Sequence, residues 1–272
     1  MSQEGSRFAA DWLALREPVD HRSRADALMA PLRRHLLGRG HRPVTVVDLG
    51  AGAGSNRRYL SSHLRVPARW VLLDQDTALL ARAVSTGSPD HRVTVRSFDL
   101  SAPLAPVLRG ADLVTASALL DLASDAWIRS LCDACADTGA AVLMALTVDG
   151  RVRFSDEDPL DRRVMDWVGQ DQRRDKGLGL ALGSRAPASL RQALALRGYR
   201  VVERASDWVL GRMDGALIDA LIDGWREAAQ RQCPREAIAA VAAWAAGRTG
   251  STLQDGATVR VGHVDVLGLP PG

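Results

Sequence analysis

The sequence predicts an α/β fold in which a seven-stranded, mostly parallel sheet carries helices on both faces. Short apolar segments rich in β-branched residues alternate with helical segments from about residue 43 onward. Strands connected through helices lie parallel, and right-handed crossovers then cover both faces of the sheet. After residue 150 a polar segment interrupts this alternation, and two more strand patterns follow it. The predicted order is five parallel strands, an insertion, and two further strands near the C-terminus.

The individual elements follow from local patterns. The predicted strands are VTVVDL (44–49), WVLLD (70–74), RVTVRSFDL (92–100), ADLVTAS (111–117), GAAVLMALTV (139–148) and two later segments, 199–206 and 257–268. Helical patterns occupy 55–64, 76–85, 125–137, 187–197 and 213–247. The polar segment between the fifth strand and the next helix defines an insertion at about 151–186. We expect an N-terminal helical segment, 1–40, ahead of the main domain, 41–272.

Composition narrows the class of protein. The 272 residues are 46% hydrophobic and 25% charged, as in ordinary soluble domains. The 35 basic and 32 acidic residues give a net charge of +3 without a basic cluster, so no nucleic-acid partner is predicted. Three cysteines are too few for a disulfide framework, and Cys132 and Cys135 are expected to pack in a helix rather than bind metal. With no apparent signal peptide or membrane span, we expect a cytoplasmic protein without a membrane partner.

The stretch VVDLGAGAG is the first candidate ligand site. Asp48 ends the first strand, and Gly50, Gly52 and Gly54 alternate with other residues before a helix that begins near Ser55. Ligands of open α/β sheets bind at the carboxyl ends of strands, where glycine allows close approach and a helix N-terminus attracts anions. The dinucleotide fingerprint would require a different glycine spacing, whereas an acid before the first glycine suits a ligand with an ammonium group. A turn that needs glycine for its geometry alone is the alternative.

Two more acids stand at the ends of the next two strands. Asp74 follows Gly54 by twenty residues, and its carboxylate suits both hydroxyls of a ribose. Asp99 ends the third strand and can accept a hydrogen bond from a purine amine, while Leu100 can pack on the ring. Asp76 is predicted to cap the following helix. Each acid alone could be a cap or a solvated loop residue, but three at successive strand ends favour a ligand with a nucleoside part.

The segments VVDLGAGAG, VLLDQD, RSFDL and ADLVTASALLDL together resemble the successive motifs of the class I S-adenosylmethionine-dependent methyltransferases. The resemblance covers about residues 43–148. It implies a Rossmann-like fold with an antiparallel C-terminal strand, a methyltransferase activity, and S-adenosylmethionine as the cofactor. N-terminal helices commonly cover the cofactor in this superfamily, so residues 1–40 are expected to form a helical lid.

The resemblance also implies roles for individual residues. The cofactor would be held by Asp48, Gly50, Ala51, Gly52 and Gly54 at its methionine part, Asp74 with the adjacent Gln75 at its ribose, Asp99 and Leu100 at its adenine, and Ser117 at its sulfonium. Arg24, in the N-terminal segment, is a candidate partner for the methionine carboxylate.

The acceptor is expected to bind near three groups of residues. Asp121, after the fourth strand, could accept a proton or orient a hydroxyl, or it could cap the helix that begins near Ser124. In the insertion, a charged cluster could close over a polar substrate or form a solvated loop. In the N-terminal segment, a histidine could face the acceptor. The candidates in the insertion are Asp171, Arg173 and Lys176, and the candidate histidine is His21.

The predicted function is methyl transfer to an oxygen, nitrogen or carbon atom of a small molecule. An RNA methyltransferase is one alternative, but it would need a basic groove that the composition does not indicate. An NAD(P)-dependent oxidoreductase is another, but its tyrosine–lysine pair has no counterpart, since Lys176 is the only lysine. A relative that binds S-adenosylmethionine without catalysis is a third. A monomer and a homodimer are both compatible with the sequence.

Overall fold

The computed structural model describes residues 3–40, 42–85, 92–249 and 256–271, with side chains from residue 11 onward. Its centre is an eight-stranded sheet. The strands are β1 (Val44–Leu49), β2 (Ala68–Asp74), β3 (Val93–Ser97), β4 (Leu113–Ser117), β5 (Ala141–Phe154), β6 (Arg200–Ala205), β7 (Trp208–Leu210) and β8 (Val259–Leu269). Their order across the sheet is β3-β2-β1-β4-β5-β8-β6, and β7 also pairs with β8.

Strand directions confirm the predicted fold class. The pairs β1·β2, β1·β4, β2·β3 and β4·β5 are parallel, whereas β8 is antiparallel to β5, β6 and β7. The sheet differs from the prediction by one strand. β7 has only three residues, too few to produce a recognisable alternation in the sequence, and it forms because β8 offers a partner along its first residues.

Helices cover both faces of the sheet. They are α1 (Gln3–Ser23), α2 (Met29–Leu37), α3 (Ser55–Leu64), α4 (Thr77–Ser85), α5 (Ala105–Leu108), α6 (Asp125–Thr138), α7 (Asp161–Gln172), α8 (Ala186–Ala195), α9 (Gly215–Gln232) and α10 (Ile238–Ala246). Side chains of α2, α3 and α4 share one hydrophobic core with Val46 of β1, and those of α5, α6 and α8 share the other with Val47. Successive residues of a strand face opposite sides, which explains this division.

A third hydrophobic core lies beside the sheet and includes the insertion. The far end of β5 reaches Phe154, so the first residues assigned to the insertion belong to the strand. Helix α7 then buries Val164, Trp167 and Val168 against α9, and Val19 of α1 joins the same core. The insertion therefore packs against the rest of the protein. Its sequence is polar on average, but its helix has one apolar face, and that face is buried.

Several smaller predictions are also confirmed. Helix α3 has the predicted bounds, and Asp76 caps α4 by accepting hydrogen bonds from the N–H groups of Ala78 and Leu79 at 2.9 and 3.1 Å. Cys132 and Cys135 are buried in the core, where burial raises the pKa of both thiols. Among the described helices, none has both the length and the apolar character that crossing a membrane requires.

Candidate functional site

A large cleft runs along the carboxyl ends of the parallel strands and divides into three chambers. The first, of about 630 Å³, lies between α1 and the glycine loop. The second, of about 310 Å³, lies beyond the ends of β2 and β3. The third, of about 500 Å³, is enclosed by α1, α7, α9 and the ends of β5 and β8. Gly50 and Asp74 line both the first and second chambers, while Arg16 and Ala118 line both the first and third.

The glycine loop forms one wall of the first chamber. Gly50, Gly52 and Gly54 all have positive φ, at 62°, 50° and 83°, a region that side chains disfavour. Gly50, Ala51 and Gly52 line the chamber. Gly54 instead packs against α4, where an added Cβ would lie 3.0 Å from the Cβ of Ala83. The loop thus needs glycine for its backbone geometry and also presents that backbone to the chamber.

Asp74 stands where the first and second chambers meet. One of its carboxylate oxygens accepts a hydrogen bond from the N–H of Gly52 at 2.8 Å, and the other accepts from the N–H of Asp76 at 2.9 Å. Each carboxylate oxygen can accept a second hydrogen bond, so the side chain is fixed and can still receive two donors. Gln75 is exposed and lines the second chamber.

The remaining walls of the second chamber include Asp99 and Leu100. Asp99 is exposed, and a hydrogen bond from the N–H of Ser101 holds its pKa below the usual value. The indole of Trp127 donates to the carbonyl of Leu100 at 2.7 Å and so fixes this end of the loop. Lys176 also lines this chamber and not the third. The lysine predicted to contact the acceptor therefore lies beside the residues predicted to bind adenine.

Behind the glycine loop is a buried polar network that the sequence did not reveal. Asp48 is fully buried and accepts a hydrogen bond from Asn56 at 2.8 Å, and burial raises its pKa to about 7. Arg24 donates to Asn56 at 2.8 Å and to Asp265 at 3.2 Å. Neither Asp48 nor Arg24 lines a described chamber, whereas Asn56 lines the first. Direct contact of Asp48 or Arg24 with a ligand is thus not supported, because the neighbouring side chains cover both.

Two residues that were predicted to face the acceptor instead form hydrogen bonds that join one helix to another. The Nε2 atom of His21 lies 3.1 Å from both the carbonyl and the hydroxyl of Ser55, which joins α1 to α3. Asp171 is buried and accepts hydrogen bonds from Arg231 and Gln232, which joins α7 to α9. The Arg231 guanidinium holds the pKa of Asp171 well below its usual range. Both side chains are occupied by these bonds, and neither lines the third chamber.

Asp121 lines the third chamber and has no partner residue for its carboxylate among the hydrogen bonds and ion pairs of the described chain. Burial raises its pKa, and a hydrogen bond from its own backbone N–H, together with the charges of Lys176 and Arg16, only partly counteracts this. The cap of α6 is Ser124, whose hydroxyl accepts from the N–H of Trp127, so Asp121 does not have that role. Arg173 lines the same chamber with an exposed side chain.

The other walls of the third chamber are aromatic, and the sequence gave no indication of them. Trp12 of α1, Trp208 of β7 and Trp225 of α9 line it together with His263 of β8. His263 is buried, and its Nδ1 atom lies 3.0 Å from the carbonyl oxygen of Val261. Burial lowers the pKa of His263 to about 4. These residues are far apart in the chain, and no local motif connects them.

The backbone is unusual where the first and third chambers meet. Ala118 and Leu146, just after Ser117 of β4 and within β5, have positive φ values of 52° and 51°. A left-handed conformation costs a residue with a side chain on the order of 1–2 kcal/mol. The N–H of Leu146 donates to Asp265 at 2.8 Å, and that of Ala118 donates to Ala145. Such strain is commonly found at functional sites, and here it borders the cleft. Ser117, predicted to lie near the sulfonium, lines the first chamber.

Among the solved structures that resemble this chain, one supports the fold by its TM-score. The chain resembles a cyclopropane-fatty-acyl-phospholipid synthase-like protein from Lactobacillus casei, with a TM-score of 0.53 and 16% identity over 93% of this chain and 98% of that one. Human N-acetylserotonin methyltransferase, solved with its cofactor, matches with a TM-score of 0.39 and 18% identity over 60% of this chain and 44% of the human one. An O-methyltransferase family protein from Burkholderia thailandensis matches with a TM-score of 0.44 and 18% identity over 96% and 62%.

The likeness to the Lactobacillus protein, with its TM-score above 0.5, supports the predicted α/β fold. The chain spans less than two thirds of the human and Burkholderia proteins. No protein-family model matches the sequence, and no curated protein matches it either.

Proposed function

We propose that this protein is an S-adenosylmethionine-dependent methyltransferase that acts on a small molecule. The position of Asp74 is the main support, because its carboxylate lies at the junction of two chambers and can still accept two hydrogen bonds. A ribose needs such a carboxylate, with space on either side for the two ends of a nucleoside cofactor.

The residues around the cleft fit this cofactor. In the first chamber, the backbone of Gly50, Ala51 and Gly52 would bind the methionine part, with Ser117 near the sulfur. In the second chamber, Asp99 would accept from the adenine amine and Leu100 would contact the ring. Side chains at positions 50 and 52 would fill this space, because their Cβ atoms would lie 3.3 Å from Leu119 and Leu13. When bound, S-adenosylmethionine supplies an electrophilic methyl group.

The protein's contribution to the chemistry would be alignment and desolvation. The third chamber and the first share Arg16 and Ala118 as lining residues, so an acceptor beside Ala118 would lie close to the methyl group. Helix α1 lines both chambers and would exclude water from them, which is the lid role expected of the N-terminal segment. Asp121, with its raised pKa and no partner residue in the described chain, would accept a proton from the acceptor or orient it.

The charges around the third chamber favour a small molecule over a nucleic acid. Of the three arginines that line it, Arg16 is paired with Asp20 at 2.9 Å and Arg151 with Asp149 and Asp207, so only Arg173 is left to contact a phosphate. A nucleic acid would need unpaired basic side chains to neutralise its phosphates. We also propose a cytoplasmic location, because the three free cysteines suit a reducing compartment, and a monomeric or homodimeric state.

Calorimetric titration tests the cofactor directly. S-adenosylmethionine and S-adenosylhomocysteine are titrated into the native protein and into Asp74→Ala, with NAD and NADP in parallel. We expect binding of the first two ligands and at least a tenfold loss of affinity in the variant, about 1.5–3 kcal/mol, because a charged hydrogen-bond acceptor is removed.

A matched control is Asp76→Ala, which removes the cap of α4 at a residue that lines none of the three chambers; it should bind the cofactor as the native protein does while unfolding more easily. Binding of NAD or NADP in place of the methyl donor would contradict the proposal, as would no binding of either S-adenosyl compound. Tight binding without methyl transfer to any acceptor would instead identify a non-catalytic relative.

A further inference from the structure

We propose that the third chamber binds a flat aromatic acceptor that carries a hydroxyl or similar hydrogen-bond donor, with the ring among the tryptophans and the donor directed at Nε2 of His263. The inference rests on the proposed function, since it names the class of acceptor for that activity. Four features of the chamber support it: its aromatic walls, the state of the histidine, the distribution of charge, and its size.

The aromatic walls come from three separate elements. The indole rings of Trp12 and Trp208 have their centroids 6.5 Å apart and are tilted by 54°. Trp225 lies on α9 and is 8% exposed, with its ring edge-on to Phe154. Aromatic rings gain energy by offset or edge-to-face contact with another ring, in addition to the burial of apolar area. The rest of the lining is mixed: aliphatic side chains that include Leu146, Val152 and Val261 alternate with polar ones that include Asp121, Gln172 and Ser184.

The state of His263 follows from its contacts. The carbonyl of Val261 can only accept a hydrogen bond, so the Nδ1 atom beside it must carry the hydrogen. Burial and the charge of Arg16 lower the pKa of His263 to about 4, although Asp149 and Asp265 oppose this shift. The ring is therefore neutral near pH 7, and its Nε2 atom carries a lone pair. Because His263 lines the chamber, that lone pair is available to a donor on the acceptor.

The charged groups of the chamber are mostly compensated. Arg16 donates two hydrogen bonds to Asp20, and its guanidinium lies 5.1 Å from the ring centre of Trp208. Arg151 is paired with two aspartates. Arg173 and Asp166 have opposite charges, and both side chains are exposed, which places them where the chamber opens to solvent. The interior thus has no uncompensated positive charge that would favour an anionic acceptor.

The size of the chamber agrees with a fused-ring compound. Its volume of about 500 Å³ is within the usual range of small-molecule pockets, roughly 300–1,000 Å³. A two-ring molecule fits within such a space and leaves room at the junction beside Ala118 for the reacting atom.

Binding of matched probes tests the inference. We would titrate 2-naphthol, naphthalene, decahydro-2-naphthol and naphthalene-2-sulfonate into the native protein by calorimetry, with and without S-adenosylhomocysteine. We expect 2-naphthol to bind at least tenfold more tightly than both its saturated analogue and the sulfonate. Equal or tighter binding of either competitor would overturn the proposal.

Two variants of His263 isolate its hydrogen bond. His263→Leu and His263→Gln both lose the contact to Val261, but the glutamine carbonyl can replace Nε2 as an acceptor. We expect His263→Leu to bind 2-naphthol about tenfold more weakly and naphthalene unchanged, and His263→Gln to retain most of the affinity for 2-naphthol. An equal loss for both probes in His263→Leu would show a purely structural role and contradict the inference.

The aromatic wall can be tested independently through Trp225→Leu, should the histidine variants fail to fold. This variant should lose the preference for 2-naphthol over decahydro-2-naphthol, and a retained preference would oppose the proposal. Failure of the proposed function can be told apart from failure of this inference. If the proposed function is wrong, S-adenosylmethionine does not bind. The probe titrations are also made without any cofactor, so they test the third chamber independently.

Discussion

Arg58 connects the glycine loop to the helix that covers it. From α3, its guanidinium donates to both carboxylate oxygens of Glu17 on α1, at 2.6 and 2.5 Å, and also to the carbonyl of Ala53 in the loop, at 2.7 Å. The hydrogen bond from Arg58 lowers the pKa of Glu17 despite its partial burial. Bidentate pairs of this kind fix orientation as well as distance. The position of α1 over the first chamber therefore depends on a charged contact.

Loss of this contact should loosen α1. We expect Glu17→Gln to weaken S-adenosylmethionine binding by about three- to tenfold, on the order of 1 kcal/mol, because a partly exposed ion pair has a modest energy. Calorimetric titration measures the change. Arg129→Gln removes a comparable pair on the exposed face of α6, with Asp125, and should leave binding unchanged. Equal effects of the two variants would contradict a specific role for the Arg58 contact.

Because Gly54 is closely packed against α4, we expect substitution of this residue to reduce the stability of the protein strongly. In Gly54→Ala the new Cβ would lie 3.0 Å and 3.2 Å from the Cβ and Cα of Ala83, and a backbone atom cannot move aside. We expect a loss of stability of about 2–4 kcal/mol, from the positive φ and the overpacking together. Urea unfolding measures it. Gly110 also has positive φ, at 75°, but no atom of the described structure within 4 Å of an added Cβ, so Gly110→Ala should cost only about 1 kcal/mol.

Asp48 should make stability depend on pH. Its pKa is about 7 in the folded protein and 3.8 as a free side chain. Because the folded value is the higher one, its contribution to stability is fully present below pH 3.8 and is lost as pH rises through 7. We expect Asp48→Asn, relative to the native protein, to gain stability between pH 4 and 8, by up to about 4 kcal/mol at 1.36 kcal/mol per pH unit.

Urea unfolding of both proteins at several pH values provides the test for Asp48. His263 titrates with the opposite sign, because its pKa is lowered to about 4 in the folded protein. The contribution of His263 to the free energy of unfolding is the same in both proteins, so it cancels when the two free energies are subtracted. A difference that is independent of pH would show that Asp48 is not buried in the way described.

Asp171 is expected to affect stability and not catalysis. Its carboxylate accepts from Arg231 at 2.9 and 3.1 Å and from Gln232 at 3.1 Å. Asp171→Asn should therefore reduce the free energy of unfolding by about 1–3 kcal/mol. Unfolding curves and steady-state kinetics together check this. Arg173 lies two residues further along the chain and lines the third chamber, so Arg173→Ala should change the KM for the acceptor and leave stability nearly unchanged. A loss of stability in Arg173→Ala together with a changed KM in Asp171→Asn would contradict these assignments.

We expect Asp121 to affect the rate of methyl transfer, measured as kcat. Asp121→Asn removes the proton acceptor but keeps the shape of the side chain, so kcat should fall by about 10²–10⁴-fold if the carboxylate is the general base. Binding of S-adenosylmethionine should not change, because Asp121 lines only the third chamber. In the native enzyme, kcat should rise with pH as the raised pKa of Asp121 is passed. An unchanged kcat in the variant would mean that alignment and desolvation are sufficient.

The sequence by itself determined the sheet and the loop at its edge. Strands such as VTVVDL and the helix at 55–64 depend on the periodic placement of apolar residues, which is a property of neighbours in the chain. The positions of Gly50, Gly52 and Asp74 at the carboxyl ends of strands followed in the same way, because parallel strands connected through helices all end at one edge.

Only the tertiary structure decided which side chains face the cleft. Asp48 and Asp74 end neighbouring strands in similar patterns, yet one is buried behind the loop on Asn56 and the other lies at the cleft. Trp12 and His263 meet at the third chamber from opposite ends of the chain. A local pattern fixes the face of an element, but which distant element covers that face depends on packing across the whole molecule. For this reason the glycine loop and Asp74, at the first two chambers, could be found in the sequence, whereas most of the residues that shape the third chamber could not.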